Sequence, residues 1–219
     1  MRIIFFIGLV DLLLTIITYI YYRCNWSWAK GWLFGASYFL LASMTWVSRL
    51  LPETAPLWLI RSTSWVGGLW IAFVYYSLLL AIGHGILYLA SKLAGTRLPN
   101  SKLAAAGLAC ICIFVSWGAY RAFTPVVRTE KIVSSKLPAG SAYRLVLLSD
   151  VHLGRLLGYS CAKKLTAQVN SLRPDAVLIA GDLLDERVSY VLQDDSLAPL
   201  AELKAPQGVY LAKESSCST

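Results

Sequence analysis

Charge is what this sequence has least of, and acidic charge is the scarcer sign. Only 15% of the 219 residues are charged, against about 25% in an average soluble domain, while 57% are hydrophobic, against about 45–50%. That balance excludes a disordered chain, which is poor in apolar residues, and argues against one ordinary soluble domain. The five cysteines show no disulfide or metal-type spacing, so a disulfide-stapled miniprotein is excluded as well. Histidine occurs twice, as His84 and His152. No block of lysine and arginine forms a stripe for a phosphate backbone, so the net charge of +8 does not indicate a nucleic-acid partner. Nor does a small-residue cleavage site follow the first apolar run. Tyr21-Tyr22-Arg23-Cys24 is bulky and charged, and there is no twin-arginine signal, so the run reads as a retained helix.

The charge that is present divides the chain. Residues 1–123 hold nine basic and two acidic residues, a net +7, whereas residues 124–219 hold eleven and ten, a net +1. The basic excess therefore sits in the apolar half, at the ends of its apolar runs, as expected where a protein meets lipid headgroups. Four stretches there lack Lys, Arg and Glu: residues 3–22, 31–48, 62–91 and 103–120, of 20, 18, 30 and 18 residues. A spanning helix needs about 17–25 residues, so the pattern predicts four spans, at 3–22, 31–48, 65–91 and 103–120. Tyr19, Tyr21, Tyr22, Trp26 and Trp28 cluster after the first as an interfacial aromatic belt.

Two ionisable residues interrupt these runs. Asp11 lies mid-segment, where a carboxylate must be paired or protonated; we read it as a bundle-facing hydrogen-bonding group, with an ion relay as the alternative. His84 stands between Gly83 and Gly85, which would allow close approach, and reads as a hydrogen-bonded bundle residue. With four spans the N-terminus and the polar half share a side. That side carries Arg2, Arg49, Arg61, Arg121, Arg128 and Lys131, against Arg23, Lys30, Lys92, Arg97 and Lys102 opposite, a slight lean towards a cytoplasmic polar half.

After Thr124-Pro125 charges of both signs appear. The run Leu145–Leu148 predicts a strand buried on both faces. Ser160–Leu172 places Cys161, Leu165, Val169 and Leu172 on one helical face, and Arg173-Pro174-Asp175 closes it. Ala176–Ala180 predicts a second buried strand, completing a strand–helix–strand unit. A further helix within 190–204 and a short strand 208–211 would repeat it.

Chemistry-bearing residues collect where these strands end, which is where open α/β sheets bind ligands. The first strand runs into Asp150-Val151-His152, and alternation along an extended tip would send both side chains the same way. The second runs into Gly181-Asp182, with Asp185 three residues on. If the strands are neighbours, Asp150, His152 and Asp182 converge on one ion. Two carboxylates and an imidazole suit Mn²⁺, Fe or Zn²⁺ better than Ca²⁺. The plainer reading of each acidic strand end alone is a turn or a helix cap. Gly181 would permit a sharp turn and close backbone approach.

Leu147-Leu148-Ser149-Asp150-Val151-His152-Leu153-Gly154 and Ile179-Ala180-Gly181-Asp182-Leu183-Leu184-Asp185 resemble the first two motif blocks of the calcineurin-like metallophosphoesterases, most closely those with several N-terminal spans. The resemblance covers roughly residues 125–211. It implies that Asp150 and His152 hold a first metal, that Asp182 bridges two metals, and that Asp185 is supportive. It also implies a phosphoester substrate; the membrane anchor, by location alone, suggests a lipid-linked one and membrane lipids as surroundings. The expected architecture is thus an N-terminal α-helical transmembrane bundle, residues 1–123, followed by a partial layered α/β domain of metallophosphoesterase type, residues 124–219. Where the family continues into a G-N-H-D/E block, this chain reads Ala212-Lys213-Glu214-Ser215-Ser216-Cys217-Ser218-Thr219. The expectation is therefore a truncated chain with an incomplete two-metal site and no assignable catalytic residue. The rival expectation is a non-enzymatic multi-pass membrane protein with a vestigial phosphoesterase segment.

Overall fold

The computed structural model of the chain describes residues 2–138, 140–185 and 188–212, with side chains of the first helix from Ile7 onward. The motif departure expected at 213–219 lies outside the described residues. Two compact units form, one of Met1–Pro52 and Trp58–Ala122, the other of Glu53–Leu57 and Phe123–Thr219.

The first unit is helical: α1 (Arg2–Asn25), α2 (Trp32–Leu50), α3 (Leu57–Leu93) and α4 (Asn100–Ala122), with a short 3₁₀ turn at Trp28–Lys30. Among the described residues, three helices are long and apolar enough to cross a membrane: α1 over Ile7–Asn25, α3 and α4. The fourth expected span is not among them. Residues 31–48 do form a helix, α2, but Ser37, Tyr38, Ser43, Thr45 and Ser48 interrupt its apolar character and Arg49 occupies its last turn. At 37 residues, α3 is about 55 Å long, well beyond the ~30 Å hydrocarbon core. It starts just after Pro56, earlier than its apolar stretch, because a helix continues through Arg61 at no steric cost.

Polar groups pair between the helices of this unit. Thr18 and Tyr22 of α1 share hydrogen bonds with Tyr38 of α2 (2.7 Å) and Ser77 of α3 (2.8 Å). Tyr21 meets His84 Nδ1 at 2.8 Å, and His84 Nε2 lies 3.5 Å from Asn100 Oδ1 of α4. His84 is thus a buried, hydrogen-bonded residue. The glycines beside it are not close-approach sites, since a Cβ on Gly83 or Gly85 would meet nothing within 4 Å. Around these pairs the Tyr22 ring stacks on Trp26, and the Tyr38 ring meets Trp70 edge-on at 4.6 Å.

The second unit contains a three-stranded parallel sheet in the order β1 (Leu145–Leu148), β2 (Ala176–Ala180), β3 (Val209–Ala212). Leu148 pairs with Ile179, and Ile179 with Leu211. Between β1 and β2 runs α5 (Tyr159–Ser171); α6 (Val188–Gln193) and a 3₁₀ turn (Ala198–Glu202) precede β3. The inward face of α5 is Ala162, Thr166 and Val169, one residue round from the expected one, which leaves Cys161 half-buried. Burial pushes the Cys161 thiol up, with Lys164 opposing in part. One core cluster joins Val169, Val177 and Ile179 with Val146 and Leu148; another joins Leu153, Ala162 and Val191.

One expectation about the sheet fails. Strand β1 is not buried on both faces: Leu145 and Leu147 are 59% and 66% exposed, while Val146 and Leu148 turn to the core. The cause is its place in the sheet. Only β2 has a strand on each side, and β1 is an edge strand whose outward residues have no covering layer among the described residues.

Candidate metal centre

The loops that leave β1 and β2 are fastened to each other by backbone hydrogen bonds. His152 N–H donates to Asp182 C=O and Leu153 N–H to Leu183 C=O, each at 2.9 Å, and Asp185 N–H donates to Leu153 C=O at 2.8 Å. Leu153, fully buried, bridges to both Leu157 and Leu184 and anchors the junction in the core. Gly154 sits so close that an added Cβ would fall 2.8 Å from Asp185 Cβ, so a side chain there would push the loops apart. This gives Asp185 a structural place, through its backbone and through that contact.

On this junction Asp150, His152 and Asp182 each present a ligand atom, and the three atoms lie within 4.8 Å of one another. All three residues are exposed, and Asp185 is not part of the group. The donors are two carboxylates and an imidazole, a set of oxygen and nitrogen suited to Mn²⁺, Fe or Zn²⁺, and the spacing fits one ion between them. The residues present therefore suit a divalent ion.

The backbone route to this arrangement differs from the expected one. Asp150, His152 and Asp182 are not extended: their φ angles are 55°, 48° and 47°, in the left-handed region. Gly181 precedes Asp182 with φ of 74°, while a Cβ there would meet nothing within 4 Å, so the glycine serves the turn and not close packing. A left-handed non-glycine residue is uncommon, although Asp and His tolerate it better than most, and three at one point imply that surrounding structure enforces them. The interloop hydrogen bonds are that structure. Period-two alternation does not reveal this, although Asp and His are residue types that enter the left-handed region.

Two further features escaped sequence reasoning. The Arg155 guanidinium lies over the Tyr190 ring, 5.8 Å from its centroid, tying the loop after β1 to α6. Asp194 Oδ2 accepts the Tyr159 N–H at 3.0 Å and so supplies the N-terminal cap that Gly158 cannot.

No protein-family model matches the chain, and no solved structure matches it. Curated relatives do. The chain is 42% identical over 89 residues to a zebrafish (Danio rerio) protein described as a transmembrane protein with metallophosphoesterase domain; the match covers 40% of this chain and 20% of that one. A Bos taurus protein of the same description is 38% identical over 87 residues, covering 39% and 19%. An uncharacterized metallophosphoesterase of Helicobacter pylori is 34% identical over 86 residues, covering 39% and 22%. The chain thus spans about a fifth of the length of the curated relatives it matches. Over two-fifths of its own length this chain is similar to metallophosphoesterases, two of them described as transmembrane proteins.

Proposed function

We propose that the chain carries the first metal-holding half of a membrane-bound, metal-dependent phosphoesterase. The observation that supports this most is the convergence of Asp150, His152 and Asp182 within 4.8 Å at adjacent parallel strand ends. In this reading Asp150 and His152 hold one divalent ion, Mn²⁺, Fe or Zn²⁺, and Asp182 reaches it and bridges to a second in the whole protein. When bound, such ions polarise a phosphoryl oxygen and lower the pKa of coordinated water. The chain's own residues fix the donors. His152 is held by its N–H on Asp182 C=O, so the two ligand-bearing loops move as one body. Exposure of all three leaves the phosphoester, lipid-linked in this proposal, open access to the donors.

Helix α2 acts in this proposal as the fourth span, its Tyr38, Thr45 and Ser48 turned inward where a composition average counts them as polar. The polar half then lies on the cytoplasmic face of the cell membrane, the side with six of the flanking cations.

Mn²⁺ binding to the purified chain tests the site. Wild type is expected to bind, and Asp182→Asn to weaken binding by at least about a hundredfold, the upper end for loss of a mere supporting residue. Binding that survives Asp150→Ala together with His152→Ala rejects the ligand set. Hydrolysis of bis-p-nitrophenyl phosphate, lost in Asp182→Asn, would assign the reaction itself.

A further inference from the structure

Helix α4 ends at Ala122, and among the described residues no helix or strand follows until β1. The chain that leaves the helix interleaves exposed apolar residues with cations. Val126, Val127, Ile132 and Val133 are exposed, the last two at 85% and 89%, the most open large apolar side chains among the described residues. Between and after them stand Arg128, Lys131 and Lys136, all exposed, against the single acid Glu130. Bare valine and isoleucine cost free energy in water, roughly in proportion to their exposed area.

Connectivity limits where this segment can be. Ile132 is ten residues from Ala122, so it lies at most about 36 Å from the end of a helix long and apolar enough to span. Within that reach is the boundary between headgroups and hydrocarbon, which takes apolar side chains while leaving cationic tips among the headgroups. A second copy of the segment is a poor occupant, since three cations against one acid would meet the same charges again.

We infer that residues 123–137 form an interfacial strap on an anionic membrane surface. Val126, Val127, Ile132 and Val133 enter the headgroup boundary, and Arg128, Lys131 and Lys136 rest against anionic lipid headgroups. The strap depends on α4 spanning and not on the metal site.

Amide hydrogen exchange of the full chain in nanodiscs tests it. Exchange over residues 124–137 is expected to slow about tenfold or more when phosphatidylserine is added to phosphatidylcholine. That slowing should vanish at high salt and in the Arg128→Glu, Lys131→Glu, Lys136→Glu triple variant. Ile132→Ser with Val133→Ser should also abolish the slowing that phosphatidylserine brings. Equal wild-type rates in the two mixtures overturn the inference: fast in both leaves the segment in water, and slow in both means that protein covers it.

Discussion

In the helical unit the buried polar residues are Thr15, Thr18, Thr45, Ser48, Thr63, Ser77 and His84, while Leu13, Ile17, Leu40, Leu79 and Ile113 stand outside. Among the described residues of the sheet unit they are Thr166 and Ser196, and the interior includes Leu153, Val169, Val177, Ile179 and Val191. The helical unit buries hydroxyls and a histidine alongside Tyr22, Tyr38, Ile60, Trp70, Val74 and Ile111, whereas the described interior of the sheet unit is mostly apolar. In water, apolar burial is the main driving force, so the sheet unit builds its interior from Val169, Val177 and Val191, although Val126, Val127, Val133, Val188 and Val209 stay exposed. Lipid tails are as apolar as leucine, which removes that drive, and helices associate instead through close packing and shared hydrogen bonds. The larger share of buried polar groups in the helical unit thus accords with its membrane placement.

If the contrast is right, a charge placed at the centre of the sheet unit should be the most damaging single change. Val177 is fully buried on the central strand. Val177→Asp leaves a carboxylate with no partner and should cost more than about 3 kcal/mol, enough to unfold a marginal domain. Trypsin in detergent should then remove the sequence after residue 123 quickly while the helical unit persists. Equal resistance of variant and wild type would mean that the sheet unit has no independent apolar core.

A smaller effect is expected where two helices touch by backbone. A Cβ on Gly67 of α3 would fall 2.8 Å from Thr45 Cα and 2.9 Å from Thr45 N on α2. Backbone cannot yield as a side chain can, so Gly67→Ala should cost about 1–3 kcal/mol. At the neighbouring Gly68 a Cβ would meet nothing within 4 Å, and Gly68→Ala should stay within about 0.5 kcal/mol. Thermal unfolding of the pair in micelles reads the difference, and similar losses would deny the α2–α3 contact.

Local pattern made much of this visible in advance. Strands β1 and β2 occupy the predicted residues, because a short apolar run closed by turn residues is a local signal. Strand β3 lies one residue later than read, and α5 starts and ends one residue earlier. The identity of the clustered residues was legible from the motifs, since Asp150, His152 and Asp182 stand at strand ends. Their left-handed backbone was not, because it is imposed by hydrogen bonds between loops some 30 residues apart in sequence, as from His152 to Asp182. The exposure of Leu145 and Leu147 was equally hidden, being a consequence of sheet order. The pairing of Tyr21 with His84 joins residues 63 apart, beyond any periodicity.

The smallest expected effect bears most directly on what holds each unit. Tyr22→Phe removes the hydroxyl bonded to Ser77, and in a membrane such a bond contributes only about 0.6 kcal/mol, because helices that are apart in lipid also find partners. In the sheet unit, Asn170 donates from Nδ2 to Glu202 C=O at 2.9 Å and accepts Lys204 N–H on Oδ1 at 2.8 Å. Asn170→Ala breaks both bonds and should cost more, about 1–2 kcal/mol, with water able to reach the freed groups. Chemical denaturation monitored separately for each unit gives the two values. A loss in Tyr22→Phe that exceeds the one in Asn170→Ala would mean that the Tyr22–Ser77 pair is sealed from both lipid and water. The polar interior would then be the principal source of helical-unit stability, above the close packing of α2 on α3.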